Sequence, residues 1–367
     1  MRVFFLFLKL GLMGFGGPPA HLALFHRYFV KQGSISEQTF AGYLTWASIL
    51  PGPASSQVGM AIGYYLGGLR GALSAWLGFT LPISVVLIAS AIYATTIPSD
   101  QLKTWLTPIL VLTLVVVTQA CWEMARAAYK TPTDLVLFAV AFACSQLWPT
   151  AGSAILIIGC AAYVGVQKSA TPWPKLRWPI LNRYAAFFAV ILLAMISLET
   201  PWAAAYRSGS FIFGGGHVAL PFFQNEPALV AKVSNEIFWS GYGLTQSLPG
   251  PMFAFAGYLG ALQGGVFVGV LTLIAIFLPG MLLMLAVITG PEINSSAVKA
   301  AMSGIQIAVV GLLTSALVPL AKQVVESGIW AIAGMAFAVA GMRLRIPIPI
   351  LFIGFAGFGV LQNLFLV

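Results

Sequence analysis

Long apolar runs succeed one another through almost the whole chain, and this feature limits its fold more than any other. The first run begins at residue 3 and the last ends near residue 366, with short polar segments between runs. Several runs reach the roughly 20 residues that an α-helix needs to cross a bilayer. A transmembrane β-barrel would instead show short segments of alternating polarity. The pattern predicts an all-α polytopic membrane protein.

The composition supports this fold class and excludes several others. Of the 367 residues, 59% are hydrophobic and 7% are charged, whereas a soluble chain carries about 25% charged residues. A soluble enzyme, a disordered chain and a secreted disulfide scaffold are therefore excluded. The net charge of +9 arises from basic residues that lie mostly between apolar runs. That pattern orients membrane proteins, and we expect no nucleic-acid partner.

Nothing in the sequence indicates a cofactor or catalysis. Cys121, Cys144 and Cys160 lie in apolar segments without the spacing of a metal site, so we expect buried small side chains. The sequence contains no His-Glu-x-x-His and no Gly-x-Ser-x-Gly motif. We expect neither an enzyme nor direct use of ATP.

An internal repeat organises the chain. When the sequence is shifted by 198 residues, Phe15-Gly16-Gly17 aligns with Phe213-Gly214-Gly215, and Leu50-Pro51-Gly52-Pro53 aligns with Leu248-Pro249-Gly250-Pro251. Chance would hardly match several glycine and proline clusters at one spacing. The sequence therefore predicts two copies of one unit and a linker between them, with these bounds: residues 1–167, residues 168–202 and residues 203–367.

The apolar runs give an expected topology. Each copy has six runs and the linker adds a helix over 184–198, which makes about 13 crossings if every run spans the bilayer. On this count the N-terminal side carries 12 lysines and arginines and the other side carries five. Because cytoplasmic loops are enriched in basic residues, we expect a cytoplasmic N-terminus.

The same count predicts the relationship between the two copies. Seven crossings precede the second copy, so it would lie upside down relative to the first, as in many secondary transporters. The short runs that close each copy are either tilted spans or a re-entrant hairpin. An even number of crossings in that hairpin would leave the inversion unchanged.

Each copy begins with a glycine cluster inside an apolar run, Gly16-Gly17-Pro18-Pro19 in the first and Gly214-Gly215-Gly216 in the second. Glycine weakens a helix and proline removes a backbone donor. Unwound backbone cannot face lipid, so such a segment lines a cavity or meets a ligand. A tight helix crossing is the alternative. The Gly-Gly-Pro-Pro sequence favours a broken helix.

The Leu-Pro-Gly-Pro motif interrupts a second run in each copy. A new helix can start after such a break, because proline is tolerated in the first helical turn. The free amides and partial positive charge of that helix end attract anions. Ser55, Ser56 and Gln57 follow the first break, whereas apolar residues follow the second. The sequence predicts an asymmetric anion site; the alternative is a pair of proline kinks used only for packing.

Basic side chains and histidines occur at matching places in the two copies. Lys9 aligns with Arg207, and His21 and His217 follow the glycine clusters. A basic residue inside an apolar run usually faces a cavity or a partner, and snorkelling to the interface is the alternative. The histidines are either helix–helix contacts or groups for substrate contact, gating or proton coupling. Two cations near two helix ends would suit a small oxyanion.

Three further charged residues have simpler expected roles. Glu123 and Arg126 are three residues apart on a helix, so we expect them to pair. Glu226 is expected in a loop, where it could carry a proton.

These motifs together resemble those of the chromate ion transporter family in its long, two-domain form. The resemblance rests on Phe15 to His21, on Leu50 to Gln57 and on their counterparts in the second copy, and it covers essentially the whole chain. It implies a bacterial inner-membrane protein that exports chromate and confers chromate resistance. The driving force that it implies is the membrane potential or the proton gradient, and the substrate is a tetrahedral dianion similar to sulfate.

We expect the substrate site near the middle of the bilayer, between the two copies. Its predicted residues are Lys9, Gly16, Gly17, His21, Pro51, Gly52, Pro53, Ser55, Ser56, Gln57, Arg207, Gly214, Gly215, His217, Pro249 and Gly250. The expected partners are the dianion and the lipid bilayer, while proton coupling and a homodimer stay open. The alternatives are transport of sulfate or another oxyanion, an anion channel, and a structural or lipid-handling membrane protein.

Overall fold

The computed structural model describes residues 2–97, 99–169, 182–213, 216–290 and 296–365. Those residues form helices and no strand, which confirms the predicted all-α fold. The helices of the first half are α1 (Arg2–Met13), α2 (Gly17–Phe25), α3 (Glu37–Ile49), α4 (Ala54–Ala94), α5 (Ser99–Ala128), α6 (Pro132–Leu147) and α7 (Ala151–Lys168). Those of the second half are α8 (Arg183–Met195), α9 (Pro201–Phe211), α10 (Ala219–Gln224), α11 (Pro227–Val230), α12 (Asn235–Ser247), α13 (Phe255–Ile288), α14 (Ser296–Glu326), α15 (Ile329–Arg343) and α16 (Ile348–Phe365).

Four of the described helical segments, in α4, α5, α13 and α14, are long and apolar enough to cross a membrane. Shorter apolar helices accompany them, including α6, α7 and α8. These segments fit a polytopic membrane protein, as the sequence predicts.

Two of the long helices fold back on themselves at paired glycines. Gly67-Gly68 in α4 has φ angles of −161° and 59°, and Gly264-Gly265 in α13 has −160° and 75°. A Cβ on Gly63 would lie 2.5 Å from the carbonyl oxygen of Gly71, whereas eight residues of straight helix span about 12 Å. The two parts of each helix are therefore antiparallel. We name them α4a (54–66), α4b (69–94), α13a (255–263) and α13b (266–288).

The first apolar run of each repeat is also a hairpin. The ring of Phe7 stacks on Phe29 with centroids 5.4 Å apart, although 22 residues of straight helix would separate them by about 33 Å. In the second repeat a guanidinium nitrogen of Arg207 lies 2.7 Å from a carboxylate oxygen of Glu226. Helix α1 is therefore antiparallel to α2, and α9 is antiparallel to the segment that contains α10.

The Leu-Pro-Gly-Pro breaks form the tips of a second pair of hairpins. The hydroxyl of Tyr258 in α13a donates to the carbonyl oxygen of Ile237 in α12 over 3.2 Å. The rings of Phe238 and Phe255 pack 5.3 Å apart on the same two helices. Helices α3 and α4a contribute to one buried cluster in the equivalent arrangement. Each repeat thus opens with two hairpins that re-enter from the face at which they start.

The number of crossings therefore differs from the 13 expected. The runs at 3–25, 40–64, 204–224 and 238–262 each return to their starting face, which leaves nine described segments that can run from face to face. Hydropathy alone does not distinguish these alternatives, because a run of about 23 apolar residues fits a crossing or a short hairpin. Two of these runs precede the second copy, so the crossings before it fall from seven to five, and the odd number preserves the inversion.

The packing of α14 shows the inversion directly. Gly311 of α14 lies against Phe138 in α6, and the side chain of Gln146, further along α6, donates to Ser315, further along α14. Helix α14 is therefore parallel to α6. Because α6 starts at the face where α5 ends, α14 is antiparallel to α5, its counterpart in the first repeat. We name the face where α5 ends the first face and the opposite one the second face.

In each repeat, one long helix packs against the closing helices of the other repeat. Helix α14 packs against α6 and α7 of the first repeat, and α5 packs against α15 and α16 of the second. Lys168 at the end of α7 pairs with Asp134 in the first turn of α6, so these two helices are antiparallel. The hairpins of the first repeat enter from the first face and those of the second repeat enter from the second face.

Candidate functional site

The hairpin tips meet in the middle of the bundle, where the two repeats exchange backbone hydrogen bonds. The amide of Gly52 donates to the carbonyl oxygen of Ile212 over 2.7 Å, and the amide of Gly250 donates to that of Gly14 over 2.9 Å. A shift of 198 residues relates both donors and both acceptors. One contact is therefore made twice by pseudo-twofold symmetry, and it satisfies backbone groups that the helix breaks expose.

We number the four hairpins and their tips in chain order. Glycine and proline shape the first tip, between α1 and α2. Gly16 and Gly17 have φ angles of 94° and 72°, a region in which a side chain is disfavoured. Pro18 and Pro19 then occupy the first turn of α2, where their missing amides cost nothing. The predicted helix break is present here. The corresponding Gly214 and Gly215 lie outside the described residues.

The Leu-Pro-Gly-Pro segments break both of their helices, as predicted. Gly52 has a φ of 115° between α3 and α4, and Gly250 has a φ of 125° between α12 and α13. Pro51 and Pro249 precede these glycines, and Pro53 is the N-cap of α4. The amides of the first α4 residues have no acceptor within the helix. Ala54 at this helix end lines a large cavity.

The polar residues after the first break are buried within the protein. The side-chain amide of Gln57 donates to the carbonyl oxygens of Pro51, over 2.9 Å, and Gly280 in α13b, over 3.2 Å. Within the described chain the Oγ of Ser56 and the Oε1 of Gln57 have no hydrogen-bond partner. Gln57 therefore ties the tip to the other repeat, and its donor hydrogens are already used.

His21 is part of the same buried tip. Its Nδ1 lies 3.1 Å from the Oγ of Ser55, and its ring packs edge-on against Phe79 with centroids 4.9 Å apart. It connects the two hairpins of the first repeat. The structure thus favours a packing role for His21, one of the alternatives left open by the sequence.

A cavity of about 640 Å³ reaches all four tips. Its wall includes Gly16, Gly17, Ala54, Gly216, His217, Gly250 and Met252 from the tips, and Gln119, Glu123, Gln246 and Gln306 from the surrounding helices. Met342 and Pro347, on either side of the α15–α16 loop, line it at the first face. The cavity therefore connects the tips with the first face.

The two matched cations lie outside this cavity wall. Lys9 places its ammonium 5.9 Å from the ring centroid of Tyr28 within the first hairpin. Arg207 donates to both carboxylate oxygens of Glu226, over 3.2 and 2.7 Å, and to the carbonyl oxygens of Met195 and Leu198. Glu226 is buried in this pair and is not a free loop residue. The pair fastens the third hairpin to the linker helix.

His217 occupies a different position from His21. Its Nδ1 lies 2.8 Å from the hydroxyl of Tyr242 and 3.1 Å from the side-chain amide nitrogen of Gln246. These two contacts fix the orientation of the imidazole. His217 lines the cavity, so of the two histidines it is the one that an entering solute can reach.

Much of the polar wall was not predicted from the sequence. The side-chain amide of Gln119 donates to Glu123 over 2.9 Å, and the ion pair expected between Glu123 and Arg126 is absent from the described residues. Gln119, Glu123 and Arg126 form a stripe at helical spacing on α5. That polar stripe in an apolar helix was the available signal.

Comparison with known proteins gives a consistent result. A family model described as "Chromate transporter" matches residues 1–166 and 199–361. The chain belongs to this family.

Similar chromate transporter family members cover nearly the whole chain. A "Chromate transport protein" of Pseudomonas aeruginosa is 25% identical over 393 residues, which is 99% of this chain and 92% of the relative. A "Probable chromate transport protein" of Synechococcus elongatus is 25% identical, over 97% of this chain and 93% of the relative. One from Cupriavidus metallidurans is 23% identical, over 86% and 81%. No solved structure matches the chain.

Proposed function

We propose that this protein is a secondary transporter that exports chromate, or a similar tetrahedral dianion, across the bacterial inner membrane and so confers resistance. The observation that carries the proposal is the meeting of four hairpin tips, two from each face, at the end of a cavity that opens to one face. Broken helices at a repeat interface are where secondary transporters bind substrate. The chromate relatives supply the substrate class.

The proposed site is the inner end of the cavity. Tip amides at the start of helical segments, from Gly17, Ala54 and Gly216, would contact the anion, and His217 and Gln246 would supply polar side chains. Ser55, Ser56 and Gln57 would hold the second tip in shape. Lys9 and Arg207 would stabilise the hairpins, since neither lines the cavity. We place the site between repeats bounded as 1–167 and 203–367.

The distribution of basic residues supports a cytoplasmic N-terminus. At the first face lie Arg2, Arg27, Lys31, Arg70, Arg126, Lys130, Lys168, Arg183, Arg343 and Arg345, and at the second face lie Arg207, Lys232 and Lys322. Basic residues favour the cytoplasmic side, so the first face would be cytoplasmic. The cavity would then be open to the cytoplasm, as an exporter requires for loading.

In the part of the chain that the structure describes, the opposite face has two cavities that stop short of the tips. One, of about 820 Å³, lies beside the Arg207–Glu226 pair. The other measures about 340 Å³ and is lined by residues such as Gln146, Pro221, Asn225 and Ser315. Rocking of one repeat against the other would open this side and close the first. Export of a dianion is favoured by about 4.6 kcal/mol at 100 mV, inside negative, which is twice the value for a single charge.

Uptake of labelled chromate and sulfate into everted vesicles tests the proposal. Chromate uptake should saturate and should increase when an inside-positive potential is imposed, because this potential in everted vesicles corresponds to the cell's own. Vesicles without the protein are the control. Flux that never saturates would indicate a channel, a preference for sulfate would change the substrate, and no response to either anion would overturn the proposal.

A further inference from the structure

The wall of the anion cavity contains a carboxylate. Glu123 lies on α5, and its exposed side chain lines the cavity together with Gln119 and Met124 of the same helix. Among the described residues of that lining it carries the only formal charge. An anion that moves from the first face to the tips must share the cavity with this group.

None of the described charged groups forms an ion pair with Glu123. On its own helix Arg126 lies one turn nearer the first face. The α15–α16 segment, whose Met342 and Pro347 line the cavity, carries Arg343 and Arg345, and the third tip contributes His217. The contact that the carboxylate does make is from the amide of Gln119.

Two negative groups in one cavity repel each other, more strongly where water is scarce. A neighbouring anion raises the affinity of a carboxylate for a proton. The amide of Gln119 can still hydrogen-bond a neutral carboxyl oxygen, so the side chain need not move when it is protonated. Both groups can therefore occupy the cavity together once Glu123 carries a proton.

We propose that Glu123 is the proton-binding residue of this transporter, and that a dianion entering from the first face binds together with one proton on Glu123. This inference rests on the proposed function. The direction of the coupling follows from linkage. If the bound anion raises the affinity of Glu123 for a proton, protonation of Glu123 raises the affinity for the anion by the same factor. Glu123 therefore couples the proton and the anion in the same direction and opposes exchange of one for the other.

The test is anion binding to the full-length protein in detergent, with sulfate and chromate as probes, measured by calorimetry at several pH values. Sulfate stays fully ionised near neutral pH, so any pH dependence of sulfate binding arises from the protein. For the unmodified protein we expect the Kd to rise as the pH is raised, by up to about tenfold per pH unit, with uptake of about one proton per anion. Glu123→Gln should bind at all pH values without this dependence.

Two controls make the outcome decisive. Glu123→Asp should restore the pH dependence, whereas Glu37→Gln, which changes an exposed carboxylate paired with His26, should leave it unchanged. A flat profile for the unmodified protein, or an unchanged slope in Glu123→Gln, would overturn the role of Glu123 while leaving anion transport intact. Binding of neither anion by any variant would overturn the proposed function itself, and this inference with it.

Discussion

His21 and Gly250 share one acceptor, the carbonyl oxygen of Gly14. The Nε2 of His21 lies 2.8 Å from that oxygen and the amide nitrogen of Gly250 lies 2.9 Å from it. A carbonyl oxygen has two lone pairs, so it can accept both bonds. The same atom thus connects a buried imidazole of the first repeat to a tip of the second.

Removal of the His21 side chain should destabilise the protein. His21→Ala deletes two buried hydrogen bonds and leaves a cavity against Phe79, so we expect a loss of about 2–4 kcal/mol in the free energy of unfolding. Thermal unfolding in detergent measures it. The matched control is His26→Ala, which breaks an exposed pair with Glu37 and should cost under about 1 kcal/mol. Equal effects of the two substitutions would contradict the central role of His21.

Substitution of the tip glycines should abolish transport. Gly52→Ala places a side chain in the left-handed region, at a cost of about 1–3 kcal/mol, and its Cβ would lie 3.0 Å from the Cα of Gly280. The two repeats would then separate at the tips, so chromate uptake into vesicles should fall to background while the protein still reaches the membrane.

Gly33→Ala controls for backbone strain alone. Gly33 also has a positive φ, 75°, but a Cβ there would meet nothing within 4 Å. It should lose a similar amount of stability and keep its uptake activity. If both variants transported equally well, the tips would not be the site of substrate passage.

The Arg207–Glu226 pair should matter for stability and not for anion affinity. Arg207→Ala leaves the buried Glu226 unpaired and removes two bonds to the linker, one at the end of α8 and one just after it, so we expect about 3 kcal/mol of destabilisation. The Kd for chromate, measured on the folded fraction, should change less than twofold. A large loss of affinity without destabilisation would instead make Arg207 a ligand of the anion, the role that the sequence suggested.

The hairpins predict which loops share a face. In a background without native cysteines, Lys31→Cys and Arg345→Cys should react with an impermeant thiol reagent from one side of the membrane, and Lys232→Cys from the other. A topology in which every apolar run crosses would place residues 31 and 345 on opposite sides. Labelling of these two positions from opposite sides would therefore contradict the re-entrant hairpins.

Much of this fold follows from the sequence, because helix breaks have a local cause. Gly17, Gly52 and Gly250 stand next to prolines, so both the position and the repetition of the breaks are visible in the amino-acid order. The gap between the apolar runs at residues 65–69 likewise coincides with the turn at Gly67-Gly68. The angle at each break depends on packing between distant helices, which is why hairpins could not be distinguished from crossings.

The side chains of the site were harder to foresee for the same reason. Gln57 and Ser56 follow a helix break in the sequence, but their burial against α13b depends on how the repeats dock. Lys9 and Arg207 are aligned in the repeat, yet one contacts an aromatic ring and the other a carboxylate. Repetition in sequence therefore indicates a shared backbone better than a shared chemistry.

The reciprocal amide bonds at Gly52 and Gly250 have a consequence for either half of the molecule in isolation. Each half alone would hold one donor and one acceptor deep in hydrocarbon with no complement, a situation that lipid cannot relieve. Two such fragments made as separate polypeptides would thus be driven to find one another in the membrane. The linker keeps the two halves close to each other, and the reciprocal backbone hydrogen bonds stabilise their association.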